Sequence, residues 1–110
     1  MNDVERQHKL QSELSRFLPV LINQFAALKI IVFGSFAGNE VAEWSDLDIV
    51  VVRDTPLRFL DRSAELIRAL QPRIGVDFLV YTPDEWSYLM KNNLFVRKEI
   101  SEKGKELYAA

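Results

Sequence analysis

The stretch Lys29-Ile30-Ile31-Val32-Phe33, closed by Gly34, constrains this chain more than any other. It is short, rich in β-branched residues and shows no polar alternation, so it reads as a strand buried on both faces. Such a strand needs material packed on each side of its sheet. A second strand is predicted at Leu47 to Val52, followed by a turn at Asp54-Thr55-Pro56, and a third alternates over Val76 to Tyr81.

Between the strands the apolar period changes to that of helices. Leu10, Leu14, Phe17, Leu18, Leu21, Ile22 and Phe25 recur at steps of three and four. Pro19 interrupts them, which predicts either a kink or a second helix with Pro19 in its first turn. Leu57, Leu60, Ala64, Ile67 and Leu70 fall opposite Arg58, Asp61, Arg62, Glu65 and Arg68, the pattern of an amphipathic helix. Gln71 to Gly75 reads as a loop. Thr82-Pro83-Asp84-Glu85 offers an N-cap, a proline at the first helical position and a glutamate three residues after the cap. The helical region that follows is expected to break near Asn92-Asn93 and stop near Gly104. The order α, β, short α, β, α, β, α points to a single α/β (α+β) domain over residues 1–110.

Composition narrows the chemistry. With 110 residues the chain is the size of one domain, and 48% hydrophobic content with 27% charged residues excludes a disordered segment. There is no Cys and one His, so thiol nucleophiles, Cys-based zinc or iron–sulfur sites and multi-histidine metal sites are excluded. A metal would be held by oxygen, which favours Mg²⁺, Mn²⁺ or Ca²⁺. Fourteen Lys+Arg against sixteen Asp+Glu give a net charge of −2, without the basic footprint that binding to duplex nucleic acid requires. No apolar run is long enough for a membrane span, and the polar start Met1-Asn2-Asp3-Val4-Glu5-Arg6 lacks a signal-peptide layout. These features predict a cytoplasmic protein.

Three acidic positions and one turn carry the candidate chemistry. Gly34-Ser35-Phe36-Ala37-Gly38 follows the first strand directly. Glycine lets a phosphate approach the backbone, and a turn into a helix presents free N–H groups with the Ser35 hydroxyl beside them. A plain strand-to-helix turn with a serine cap has the same letters. Ser45-Asp46-Leu47-Asp48 opens the second strand, where residues two apart share a face, so Asp46 and Asp48 point one way. Two such carboxylates repel unless a cation lies between them, although a solvated strand end also reads Asp-x-Asp. Asp77 stands near the start of the third, otherwise apolar strand, where it reads either as a carboxylate that burial would oblige to be paired or metal-bound or as an exposed strand-start residue. If that strand lies beside the second, Asp77 completes a three-carboxylate cluster facing the glycine turn. A phosphate-cradling turn with three such carboxylates is the equipment of two-metal phosphoryl transfer.

In these residues the chain resembles the minimal nucleotidyltransferases (MNT) of the DNA polymerase β-like nucleotidyltransferase superfamily. The resemblance rests on the strand Ile30 to Phe33, Gly34-Ser35, Ser45-Asp46-Leu47-Asp48-Ile49-Val50-Val51 and Asp77, and it extends over nearly the whole chain. It implies a small mixed β-sheet with helices packed against it. It also implies that Gly34 and Ser35 hold the tail of ATP or another NTP, with Ser45 among the nucleotide-binding positions. Asp46 and Asp48 would ligate two Mg²⁺ ions, with Mn²⁺ an alternative, and Asp77 would ligate one ion and help deprotonate the acceptor hydroxyl. The implied reaction moves AMP from ATP to a tyrosine of a HEPN-type helical toxin, with this chain as the antitoxin. Many relatives carry an Arg and then a Gly where this chain has Gly38-Asn39. Asn tolerates the left-handed conformation, so the turn is expected to survive while one phosphate contact is lost. A second reading follows, in which a weak or inactive module of this fold neutralises its partner by binding alone.

Other residues have plainer expectations. His8 reads as solvated. Trp44 is expected to pack under its loop, with stacking on a base as the alternative. Arg53 and Arg58 flank the end of the second strand and read as surface charges, with contact to phosphate as the alternative. Tyr88, Leu89, Leu94 and Phe95 are expected in the core, with a partner-binding face as the competing reading. Self-association stays open, so an oligomer is not excluded by the sequence.

Overall fold

The computed structural model describes residues 2–110. Four strands form one sheet in the order β3-β2-β1-β4, with β1 at Lys29–Phe33, β2 at Leu47–Val52, β3 at Val76–Tyr81 and β4 at Lys105–Ala109. β1 is antiparallel to β2 and β4, whereas β2 and β3 are parallel. The sheet is therefore mixed, and the parallel pair is joined by helix α3 (Phe59–Leu70), the crossover that parallel strands need.

The pleat of β1 and β2 divides the core in two. Ile30, Val32, Leu47, Ile49 and Val51 pack with Leu10, Leu14, Phe17 and Leu21 of α1 (Asp3–Asn23) and with Leu66 and Leu70 of α3. Ile31, Val50 and Val52 pack on the opposite face with Trp86 of α4 (Pro83–Asn92) and with Val96 and Ile100 of a π-wound segment, Val96–Glu102. Both central strands are covered on both sides, as their unbroken apolar runs require. α4 starts with the expected capping box: Thr82 Oγ1 accepts from Glu85 N, and Glu85 Oε1 accepts from Thr82 N.

Several expectations are corrected. α1 continues through Pro19, so no second helix begins there. The buried face of α3 is Arg62, Leu66 and Leu70, while Leu60 is 84% exposed and Ile67 43%. Arg62 turns the helix inward because its guanidinium finds every partner it needs. Nε donates to Leu57 O at 2.9 Å, and Nη1 donates to Val80 O at 3.1 Å and to Glu85 Oε1 at 2.6 Å. The helical region after α4 does break at Asn93 and stop before Gly104, but the chain then adds β4, a strand absent from the predicted element order. Tyr88, Leu94 and Phe95 are 66%, 61% and 57% exposed and lie outside the core, while Leu89 packs partly against it. Trp44 is exposed too, so it does not pack under its loop. Arg53 is held inward by Phe25 O and Glu65, whereas Arg58 stays on the surface beside Asp61.

Candidate active site

The site lies where β1 ends and where β2 and β3 begin. Parallel register places Asp48 directly opposite Asp77, with Phe33 across the antiparallel pair on the other side of Asp48. Opposite residues on neighbouring strands share a face, with backbones about 4.8 Å apart, so the two carboxylates are lateral neighbours. Asp77 is exposed rather than buried, because β3 is the edge strand beside β2. Asp48 is half-buried, and its pKa is raised first by burial and then by the charges of Asp77 and Asp46. A carboxylate in that position is short of positive charge.

Gly34 opens a four-residue helix, α2 (Gly34–Ala37), with φ at +75°. Glycine is required there twice over. The left-handed conformation disfavours a side chain, and a Cβ would fall on the Asp48 carboxylate. Gly34 thus brings its backbone against one of the candidate acids. Asn39 has φ +57°, the left-handed conformation expected of it, while Gly38 has an ordinary φ of −86°. A Cβ on Gly38 would lie 3.7 Å from Gly34 O, at normal contact distance, so the position has room for a side chain. Ser45 is buried, and its Oγ accepts from Ala42 N at 2.9 Å, which closes the turn before Asp46.

Asp46 is placed by two features that carry no sequence signal. Arg6 of α1 reaches across from the helix layer, where Nε donates to Ser45 O at 2.6 Å and Nη2 to Asp46 Oδ1 at 3.0 Å. Gly75 provides the floor, since a Cβ there would fall on the Asp46 carboxyl group. Nothing in a local pattern pairs a residue near the start of the chain with Asp46. The Gly75→Ala variant is expected to keep its stability, because an exposed carboxylate can rotate aside. Any chemistry that depends on Asp46 should nevertheless fall about a hundredfold, the scale of a one-ångström misplacement. Thermal unfolding and a transfer assay on the same preparation check both halves.

Beside Gly34 and Gly38 lies a cleft of about 320 Å³, also lined by Glu40, Glu99 and Lys103. Lys103 Nζ donates to Glu99 Oε1 at 2.9 Å, so the amine that a segment without a motif brings beside the glycine turn is already paired, and the cleft carries two carboxylates to one amine. The three aspartates and the turn thus share one end of the sheet. Among the described residues, however, no three acids stand close enough together to hold a metal ion as their side chains lie. The donors are oxygens, which suits a hard cation, and Asp46 is shared with Arg6.

A family model described as a nucleotidyltransferase domain matches residues 14–107. The chain belongs to that family. A Methanocaldococcus jannaschii protein assigned as a protein adenylyltransferase is 31% identical over 80 residues, which cover 73% of this chain and 77% of that protein. A crystal structure of a Sulfolobus solfataricus protein assigned as a nucleotidyltransferase superposes with a TM-score of 0.61 at 22% identity, over 80% of each chain. A toxin–antitoxin structure with AMP-PNP gives a TM-score of 0.54 at 20% identity, over 90% of this chain and 73% of that one. The fold of this nucleotidyltransferase is therefore the family's own, and the mixed sheet with helices on both faces agrees with the sequence reading. No helix among its described residues is long and apolar enough to cross a membrane.

Proposed function

We propose that this nucleotidyltransferase transfers AMP from ATP to a hydroxyl of a partner protein, a tyrosine on a helical HEPN-type toxin, and that it acts as the antitoxin of the pair. The observation that carries the reading is the lateral pairing of Asp48 with Asp77 beside the Gly34 turn. In the reaction the acceptor oxygen bonds to the α-phosphorus of ATP, the bond from that phosphorus to the bridging oxygen of the β-phosphate breaks, and pyrophosphate leaves. Asp77, exposed at the sheet edge, is the residue that a hydroxyl on another protein can reach, and it accepts the proton. The turn at Gly34-Ser35 holds the phosphate tail, with the backbone of Gly34 bordering the adjoining cleft. Asp46, Asp48 and Asp77 are the residues that would hold Mg²⁺ or Mn²⁺, which when bound neutralises charge on the phosphates. The assignment of the Methanocaldococcus relative supports a protein acceptor, and the toxin–antitoxin neighbours support the partner class. The reaction belongs in the cytoplasm, where ATP and Mg²⁺ are plentiful.

Incubation with α-labelled ATP, Mg²⁺ and the HEPN-type protein encoded beside it is expected to label that protein and release pyrophosphate. Label that stays on ATP, with partner and metal both present, removes the enzyme reading. A second reading is favoured by Gly38-Asn39 and by the incomplete gathering of the three acids: the fold neutralises its partner by complex formation without turnover.

A further inference from the structure

We propose that Arg6 is a resident counter-cation of the carboxylate site, holding Asp46 while no divalent ion is present and yielding that carboxylate when one arrives. This rests on the reading that the aspartates receive a divalent cation. Arg6 is drawn in from α1 until its side chain is only 14% exposed, although its acidic partner is 54% exposed. A surface ion pair alone would not repay the ordering of so long a side chain. Among the described residues it makes the only ion pair to any of Asp46, Asp48 and Asp77, so Asp48 and Asp77 face one another with no basic side chain paired to either.

The geometry divides the work of the guanidinium. Nε is committed to the Ser45 carbonyl at 2.6 Å, and only Nη2 engages Asp46, through a single oxygen at 3.0 Å. The first bond fixes Arg6 to the loop and does not involve the acid. The second can be given up without moving α1 or unfastening the loop. In that arrangement the positive charge lowers the repulsion between Asp46 and its acidic neighbours, and it competes with an incoming cation for Asp46. Gly75 keeps the carboxylate where both can reach it.

Mn²⁺ alone, without nucleotide or partner, is the probe, titrated calorimetrically into the wild-type protein and into Arg6→Gln. Thermal unfolding is followed in EDTA and in excess Mn²⁺. The Arg6→Gln variant is expected to bind Mn²⁺ about tenfold more tightly, because a competing positive charge is gone. Its melting temperature should be lower than wild type in EDTA and should gain more from Mn²⁺. Arg6→Lys keeps the charge and loses the fork, so its affinity should fall between the two. If Arg6→Gln does not fold, tighter binding by Arg6→Lys than by wild type supports the proposal in its place, and equal or weaker binding overturns it. Equal or weaker binding by folded Arg6→Gln, with wild type binding normally, overturns the proposal and leaves the proposed function standing. Absence of Mn²⁺ binding to wild type at millimolar concentration overturns this proposal together with the reading that the aspartates receive a cation on their own, while the labelling experiment still decides the transfer itself.

Discussion

A protein carrying Asp46→Asn and Asp48→Asn together is expected to fold, to be more stable than wild type at neutral pH, and to lose nucleotidyl transfer by about three orders of magnitude or more. On the proposed function the loss follows from removing two of the anionic groups that would hold the charge-neutralising cation at the phosphates. The gain in stability follows from Asp48. Its pKa is raised in the folded protein, by burial first and then by Asp77 and Asp46, so its charged form is penalised on folding. As pH rises through the carboxylate range the unfolded chain loses its proton before the native one does, and the native state is progressively disfavoured. The melting-temperature advantage of the variant should therefore be absent near about pH 3 and widen towards about pH 7. The Asp46→Asn change leaves an amide oxygen facing Arg6, which preserves the tie to α1. Transfer retained at wild-type rate would remove both aspartates from the chemistry. If partner protection in cells survives while transfer is lost, neutralisation is by binding alone.

Arg62→Ala is expected to produce the largest loss of stability, about 3 kcal/mol, because it strands the groups that Arg62 satisfies. The side chain is 7% exposed, and it bonds two backbone carbonyls and Glu85. The Glu85 carboxylate is held below its usual range, first by its hydrogen bond to Arg62, and its side chain is 43% exposed. Water can therefore rescue part of that charge but not the carbonyl of buried Val80. Urea denaturation measures the effect, and Arg62→Met tests how much is packing. Val80 lies at the far end of β3 from Asp77, so the transfer rate per folded molecule should be unchanged. Glu13 is likewise lowered, with its hydrogen bond to Arg16 as the main cause. Both glutamates contribute stability above their unfolded pKa, and it is lost as pH falls through their lower native values.

Much of this arrangement is legible in the order of residues because it depends on local period. The strands β1, β2 and β3 are apolar runs of the right length, and the alternation of β2 and β3 places Asp48 and Asp77 on one face once the strands are paired in register. α4 announces itself by its cap. What escapes a local reading depends on contacts between distant segments. The inward face of α3 includes an arginine because carbonyls and a carboxylate from two other segments meet it there. β4 is a strand only because β1 offers a free edge, and Lys105, Glu106 and Leu107 at that rim are exposed, so no core-facing alternation marks them. Arg6 and Gly75 fall in the same class, since their importance lies in touching Asp46 and not in any spacing along the chain.

The position of Asp77 on an outer strand bears on how such a catalyst discriminates. As the proposed proton acceptor at an unenclosed rim, Asp77 would take a proton from whatever oxygen arrives, and the solvent itself is the most abundant candidate. Enzymes that envelop a small acceptor expel that competitor by closing around it. Here a macromolecular acceptor would do the expelling, because its own surface caps the rim as its hydroxyl enters. Fidelity would then be a property of the docked pair, and waste of ATP by hydrolysis would be suppressed only while the two proteins are together.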